Sequence, residues 1–141
     1  MTHDAPSPSP DLESASFWRS LAEHRIEVQR CDACGRHRFP PMPSCPYCAE
    51  PGGEAIEVGG TGTVYSWVRV HRALTKAMRD KVPYCIVTVD LDGGGRMFGR
   101  LADPSAVDIG LRVRPHFVDH DGWTELGFAS EDSDGAKVAR G

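Results

Sequence analysis

Four cysteines in two pairs have the clearest chemical potential, Cys31-Asp-Ala-Cys34-Gly35 and Cys45-Pro-Tyr-Cys48. Each CxxC spacing makes a tight turn whose two thiolates point at one ion, and two such turns complete a tetrahedron. Gly35 follows the first pair and takes positive φ without steric cost. Ala49 holds the equivalent place after the second pair, where that conformation is less favourable. Ten residues separate the pairs, so the ribbon is short, and its hairpin carries Arg36, His37, Arg38 and Phe39. Two readings compete with zinc. A redox dithiol uses one CxxC and not two. Iron in a rubredoxin-like site also takes four thiolates, and Cys45-Pro46-Tyr47-Cys48 resembles such a knuckle. Four thiolates leave no vacant position for water, so a zinc ion at Cys31, Cys34, Cys45 and Cys48, one per chain, is expected to be structural. It would supply folding energy to a segment too small to hold a core. His37 is a conceivable replacement ligand that the site does not need.

Nothing else in the chain reads as catalytic. Cys85 lies in a Val-rich strand pattern on the inward face, the setting of a core thiol and not a nucleophile. None of the six histidines stands in a recognisable pairing with a nucleophile or metal. There is no GxSxG elbow and no P-loop. Gly93-Gly94-Gly95 makes a hairpin turn with no helix after it, which excludes a dinucleotide fingerprint.

The elements that must position these residues follow from periodicity. Residues 1–13, with Pro6, Pro8 and Pro10 among serines, read as a disordered leader. Residues 14–25 read as a short helix capped by Ser14 or Ser16, with Phe17, Trp18 and Leu21 as its apolar stripe. So short a helix is marginal unless docked, either on its own domain or on a partner chain. Residues 26–53 form the zinc ribbon. Residues 54–129 form the next unit, and from residue 61 its pattern is period-two strands: Thr63 to Val70, Tyr84 to Leu91, Arg96 to Leu101, Leu111 to Phe117 and Trp123 to Phe128. Five strands with no long helix predict a small closed barrel, and the OB-fold is the commonest five-stranded choice. Residues 130–141 read as a disordered tail. The expected fold class is therefore mainly β: an N-terminal helix, a rubredoxin-like zinc ribbon and a C-terminal five-stranded OB-fold barrel.

Alternation places Val64, Ser66, Val68 and Val70 on one face of the first barrel strand and Tyr65, Trp67, Arg69 and His71 on the other. The outward set over the barrel mixes aromatics with arginines: Tyr65, Trp67, Arg69, Phe98, Arg100, Arg112 and Arg114. Such a surface stacks planar bases and holds phosphates, or is covered by a protein, or is a half-exposed face with solvated arginines. In the loop from Arg72 to Lys81, Arg72, Lys76 and Arg79 stand at helical spacing and form a candidate phosphate site; a plain solvated loop is the competing reading. The chain carries 16 basic and 20 acidic residues, a net charge of −4, which disfavours an unassisted nucleic-acid binder. No apolar run reaches the roughly 18 residues of a membrane span, and the N-terminus lacks signal-peptide regions. The expected location is the cytoplasm, where cysteines stay reduced.

The order of these parts is similar to that of a known family. Ser16-Phe17-Trp18, the two CxxC pairs with Pro40-Pro41 between them, Gly60-Thr-Gly-Thr-Val-Tyr-Ser66, Pro83-Tyr84 and Gly110 before Arg112-Val113 together resemble the zinc-ribbon proteins with a C-terminal OB-fold. That family, formerly a domain of unknown function, is linked to acyl-CoA metabolism. The resemblance covers roughly residues 14–128. It implies a non-catalytic accessory partner of thiolase-like enzymes, among them ketothiolases, acyltransferases and retro-aldolases of steroid side-chain breakdown. Some members are joined to hotdog-fold hydratases. A role in guiding an acyl-CoA thioester follows from the same resemblance. The alternative is a free OB-fold module for single-stranded nucleic acid; an independent hydrolase or acyltransferase lacks a nucleophile pair.

Overall fold

The computed structural model describes residues 7–132, so the leader before residue 7 and the tail after 132 lie outside the described residues. Helix α1 (Ala15–Ala22) starts at Ser14, which makes no side-chain cap bond. Asp11 secures the turn before it, accepting from the Ser14 N–H at 2.8 Å and from the Ser14 hydroxyl at 2.9 Å. Ser16 is not a cap; its hydroxyl donates to Glu27 at 2.7 Å. The apolar stripe settles the docking question. Phe17 and Leu21 are buried in the main core. Trp18 is half-buried, edge-on to Phe17 at 5.2 Å and to Trp123 at 6.0 Å between ring centroids. The helix therefore packs on its own chain.

A three-stranded antiparallel sheet follows, in the order β2-β1-β3. Its strands are β1 (Ile26–Cys31), β2 (His37–Arg38) and β3 (Gly53–Val58). β3 pairs with β1 from Ile26–Val58 to Cys31–Gly53, so this stretch belongs to the ribbon's sheet and not to the barrel's.

The second sheet contains β4 (Gly62–Val70), β5 (Tyr84–Leu91), β6 (Arg96–Arg100), β7 (Arg112–His120) and β8 (Trp123–Ser130). Their order is β6-β5-β4-β7-β8. The five strands match the expectation, but the barrel is not closed by a continuous ladder. Edge strands β6 and β8 meet through one parallel bridge, Leu101–Phe128, with the Ala102 N–H donating to Phe128 at 2.7 Å. They approach too closely for side chains: a Cβ on Gly99 would lie 2.4 Å from the Leu126 carbonyl oxygen. Cys85, Val87, Val89, Met97, Val113 and Phe128 are fully enclosed between the strands, and this apolar burial is the main driving force of the fold.

The expected faces hold in β5, where inward and outward residues alternate along the whole strand. They fail in β4. A bulge between Val64 and Ser66 inserts one residue into the ladder, which shifts the alternation beyond it. Val68, expected inside, is 57% exposed, and Trp67 beside it is 37% exposed.

Candidate functional site

The ribbon places the four cysteines where the spacing requires. The Cys31 and Cys48 Sγ atoms lie 3.7 Å apart, as do those of Cys34 and Cys45. All four lie within 4.8 Å of one another. A tetrahedron with zinc–sulfur bonds of about 2.3 Å has sulfur–sulfur edges of about 3.8 Å, so this donor set fits the ion. The two knuckles repeat one backbone device. Gly35 N–H donates to the Cys31 carbonyl at 3.0 Å and Ala49 N–H to the Cys45 carbonyl at 2.8 Å. Both residues adopt positive φ, 77° and 69°. Ala49 thus takes the less favourable conformation that the second knuckle demands.

Backbone donors aim at the sulfurs. Cys34 and Ala33 N–H groups reach Cys31 Sγ at 3.4 and 3.3 Å, and Tyr47 N–H reaches Cys45 Sγ at 3.4 Å. The Cys34 and Ala33 amides hold the Cys31 thiol below its ordinary value, whereas the crowded neighbouring thiols push Cys48 up, so the backbone donors favour a thiolate first at Cys31. His37 is not part of this cluster; its Nδ1 donates to the Gly94 carbonyl at 3.1 Å, tying the ribbon to the β5–β6 turn.

Arg38 is a structural residue that sequence reasoning left unassigned. It is 3% exposed. It donates to Gln29 at 2.8 Å and to the Met42 and Gly52 carbonyls at 3.2 and 3.3 Å. Its signal in the sequence is its place on β2 opposite Gln29, visible only once the register is known.

The outward face of the barrel differs from a phosphate-binding surface. Arg112 pairs with Asp92 through two bonds of 2.7 Å, Arg96 pairs with Asp90, and Arg100 holds Glu125 at 2.6 and 2.7 Å. Arg96 also covers the Tyr65 ring, 3.6 Å from its centroid. Two of the arginines expected to receive a ligand, Arg100 and Arg112, are thus neutralised, by Glu125 on β8 and by Asp92 in the turn after β5. The aromatics remain open: Tyr65 is 52% and Phe98 53% exposed.

The basic loop lies beyond the end of β4. Arg72, Lys76 and Arg79 are all exposed. The helical spacing is not realised; a single 3-10 turn spans Lys76–Met78, with Arg79 at its end. Cys85 is fully buried, with its thiol 3.9 Å from the Pro104 carbonyl. Between ribbon and barrel an open cleft of about 630 Å³ is lined by residues such as Arg36, Tyr47 and Arg96, with the Arg36 guanidinium 5.0 Å from the Tyr47 ring centroid.

Residues 18–52 match the rubredoxin-like zinc ribbon domain of ChsH2, and residues 55–118 match the ChsH2 C-terminal OB-fold domain. A DUF35 domain-containing scaffold protein of Methanocaldococcus jannaschii is 35% identical over 104 residues, covering 71% of this chain and 73% of that protein. The chain belongs to the DUF35 family. The metal of a zinc ribbon with these four ligands is zinc, one ion per chain. The chain is also similar to part of the 3-oxo-4,17-pregnadiene-20-carboxyl-CoA hydratase alpha subunit of Mycobacterium tuberculosis, 37% identical over 119 residues, which are 83% of this chain and 37% of that protein. The chain spans about a third of the length of the hydratase alpha subunits it matches. Among solved structures, a chain of the Ltp2-ChsH2(DUF35) aldolase superposes with a TM-score of 0.75 at 30% identity. The superposition covers 88% of this chain and 98% of that one.

Proposed function

We propose that this chain is a non-catalytic accessory subunit that docks on a thiolase-like enzyme and supports the binding or channelling of its acyl-CoA thioester. The observation that carries the reading is the superposition on nearly the whole of a DUF35 chain from an aldolase named for two proteins, Ltp2 and ChsH2. The scaffold designation of the Methanocaldococcus relative supports it. So does the chemistry of the described residues: the four grouped thiolates are a closed structural site, and the remaining cysteine is a core thiol. The two hydratase-subunit relatives support a second partner, a hotdog-fold hydratase, in the same assembly. The exposed cations Arg72, Lys76 and Arg79 are assigned to the coenzyme A phosphates, and the reduced thiols fit a cytoplasmic home.

Co-expression with the thiolase-like enzymes of the same cell tests the proposal. The expected result is co-elution of one such enzyme with this chain, and a higher kcat/KM for acyl-CoA than the enzyme shows alone. Arg72→Glu with Lys76→Glu should raise KM for the thioester without disturbing co-elution. An enzyme that neither co-elutes nor changes its kinetics would overturn the reading. Tight, steeply salt-dependent binding of single-stranded DNA would favour the nucleic-acid alternative instead.

A further inference from the structure

Strand β4 is paired along its whole length on the β5 side, from Gly62–Leu91 to Val70–Tyr84. On its other side it pairs with β7 only at Gly62–Val113 and Thr63–Arg112. That contact ends at Val64, whose N–H donates to Leu111 and whose carbonyl accepts from Gly110, both at 2.9 Å. From Tyr65 to Val70, among the described residues, no strand covers this side.

The register says which groups face outward. Tyr65 is the extra residue of the bulge, so Ser66 lies opposite Thr88. Alternation then turns the main-chain groups of Ser66, Val68 and Val70 toward β5 and those of Trp67 and Arg69 to the open side. The partner strand agrees: Cys85, opposite Arg69, uses its carbonyl on the β6 side, accepting the Leu101 N–H at 3.0 Å. The N–H and C=O groups of Trp67 and Arg69 therefore form a short open edge.

Natural sheets blunt such edges with charge, proline or cover. This edge carries large apolar side chains instead. Tyr65, Trp67 and Val68 are 52%, 37% and 57% exposed, and Ile109 and Leu74 at its two ends are 60% and 88% exposed. Its one charge, Arg69, lies 5.7 Å from the Trp67 ring centroid and has no carboxylate partner among the described residues. The edge runs into residues 69–81, which hold five lysines and arginines against one acid in a chain of net charge −4.

We infer that the outer edge of β4, residues 65–70, is a strand-addition site for an extended, apolar segment of the partner enzyme that carries a carboxylate for Arg69. The inference rests on the accessory-subunit reading and names the surface it uses. The main-chain groups of Trp67 and Arg69 supply the directional bonds, and the exposed side chains flank the added strand. A second copy of this chain is the poorer occupant, because two such edges would bring two cationic segments together.

Hydrogen–deuterium exchange on the full chain, free and in the co-purified complex, tests it. The expected result is about tenfold slower exchange of the Trp67 and Arg69 amides in the complex, with the Ser66 and Val68 amides, already bonded to β5, changing little. Arg69→Pro removes the outward N–H and spares the β5 ladder, as proline is tolerated on a free edge. It should weaken the complex about tenfold, the worth of one main-chain bond. Arg69→Glu should weaken it as well, and Arg69→Lys should retain most of the affinity. An intact complex in which the Trp67 and Arg69 amides exchange as in the free chain would overturn the edge and leave the accessory reading standing. Protection of those amides in a homodimer of this chain would overturn the occupant. Failure of the wild-type chain to join any thiolase-like enzyme would remove both.

Discussion

Glu125 provides the sharpest test of how the barrel holds together where its ladder stops. It sits on β8 and accepts from Arg100, at the end of β6, at 2.6 and 2.7 Å, and from His120 Nε2 at 2.9 Å. The Glu125 side chain is 15% exposed and that of Arg100 26%. Glu125→Gln keeps the shape and removes the charge. Breaking a buried pair from one side costs about 3–5 kcal/mol, because the other charge is left without compensation. Water reaches part of Arg100, so the loss expected here is about 2–3 kcal/mol, or about 6–12 °C in Tm for a domain of this size. The pH dependence has a definite sign. Burial alone raises the Glu125 carboxyl, but the bonds from Arg100 and His120 outweigh it and hold the group below its ordinary value of 4.5. A depressed folded pKa means the stabilisation is present in full above the unfolded value and disappears as pH falls through the folded one. Urea unfolding of wild type, Glu125→Gln, Arg100→Met and the double variant, in zinc-buffered solution, measures both effects. Zinc release in acid is common to all four proteins and drops out of the difference. The double variant should lose clearly less than the sum of the singles. A Glu125→Gln protein within about 0.5 kcal/mol of wild type, or one whose stability falls with wild type in parallel below about pH 5, would refute the reasoning.

Three further outcomes follow from the same geometry. Purified protein should hold one zinc per chain, and Cys34→Ser should depress soluble yield, since binding energies of about 10–16 kcal/mol for such sites rival the whole stability of a domain; elemental analysis of folded, metal-free protein would count against it. Trp18→Ala should lower thermal stability by about 2 kcal/mol, roughly half the cost of a fully buried tryptophan, and leave assembly with a partner unchanged once folded; a variant of unaltered Tm that fails to co-elute would reverse that assignment. Gly99→Ala should cost about 2 kcal/mol or more by pressing its methyl against the Leu126 carbonyl, whereas Gly93→Ala, with nothing within 4 Å, should be close to neutral in the same denaturation assay.

The metal centre was legible in the sequence because its chemistry is local: each knuckle is set by four consecutive positions and the turn residue after them. β5 and β6 were legible for a similar reason, since a Gly-rich turn between two alternating runs fixes their pairing. The features that escaped depend on residues far apart in the chain. Arg100 reads as an outward cation until Glu125, which is 25 residues away, is placed beside it. Arg112 needs Asp92 across 20 residues. The bulge at Tyr65 has no composition of its own, yet one inserted residue sends Val68 to solvent. Arg38 reads as one more residue of the hairpin between the cysteine pairs, and only the register of β1 and β2 puts it next to Gln29. Phe17 and Trp18 declared an apolar face but not its partner, because an amphipathic helix carries no address.

That last resolution relocates the surface available to a partner. With Phe17 and Leu21 in the core and Trp18 against Trp123, α1 is spent on the fold. The ion-paired arginines are likewise spent on contacts within the barrel. Tyr65, Trp67, Val68 and Phe98 still present exposed apolar surface, together with the open edge of β4. The zinc ribbon bears on this surface despite doing no chemistry. Phe39, on the hairpin between the cysteine pairs, packs at 5.0 Å against Phe17 and at 5.6 Å against Phe98, and His37 is bonded to Gly94 in the turn that feeds β6. Four thiolates on one ion fix the two ends of that hairpin, and the hairpin in turn supports the aromatic side of β6. On the accessory-subunit proposal, zinc would act on binding through position: it braces a segment that otherwise lacks the apolar area to stay folded, and that segment backs one side of the surface a partner would meet.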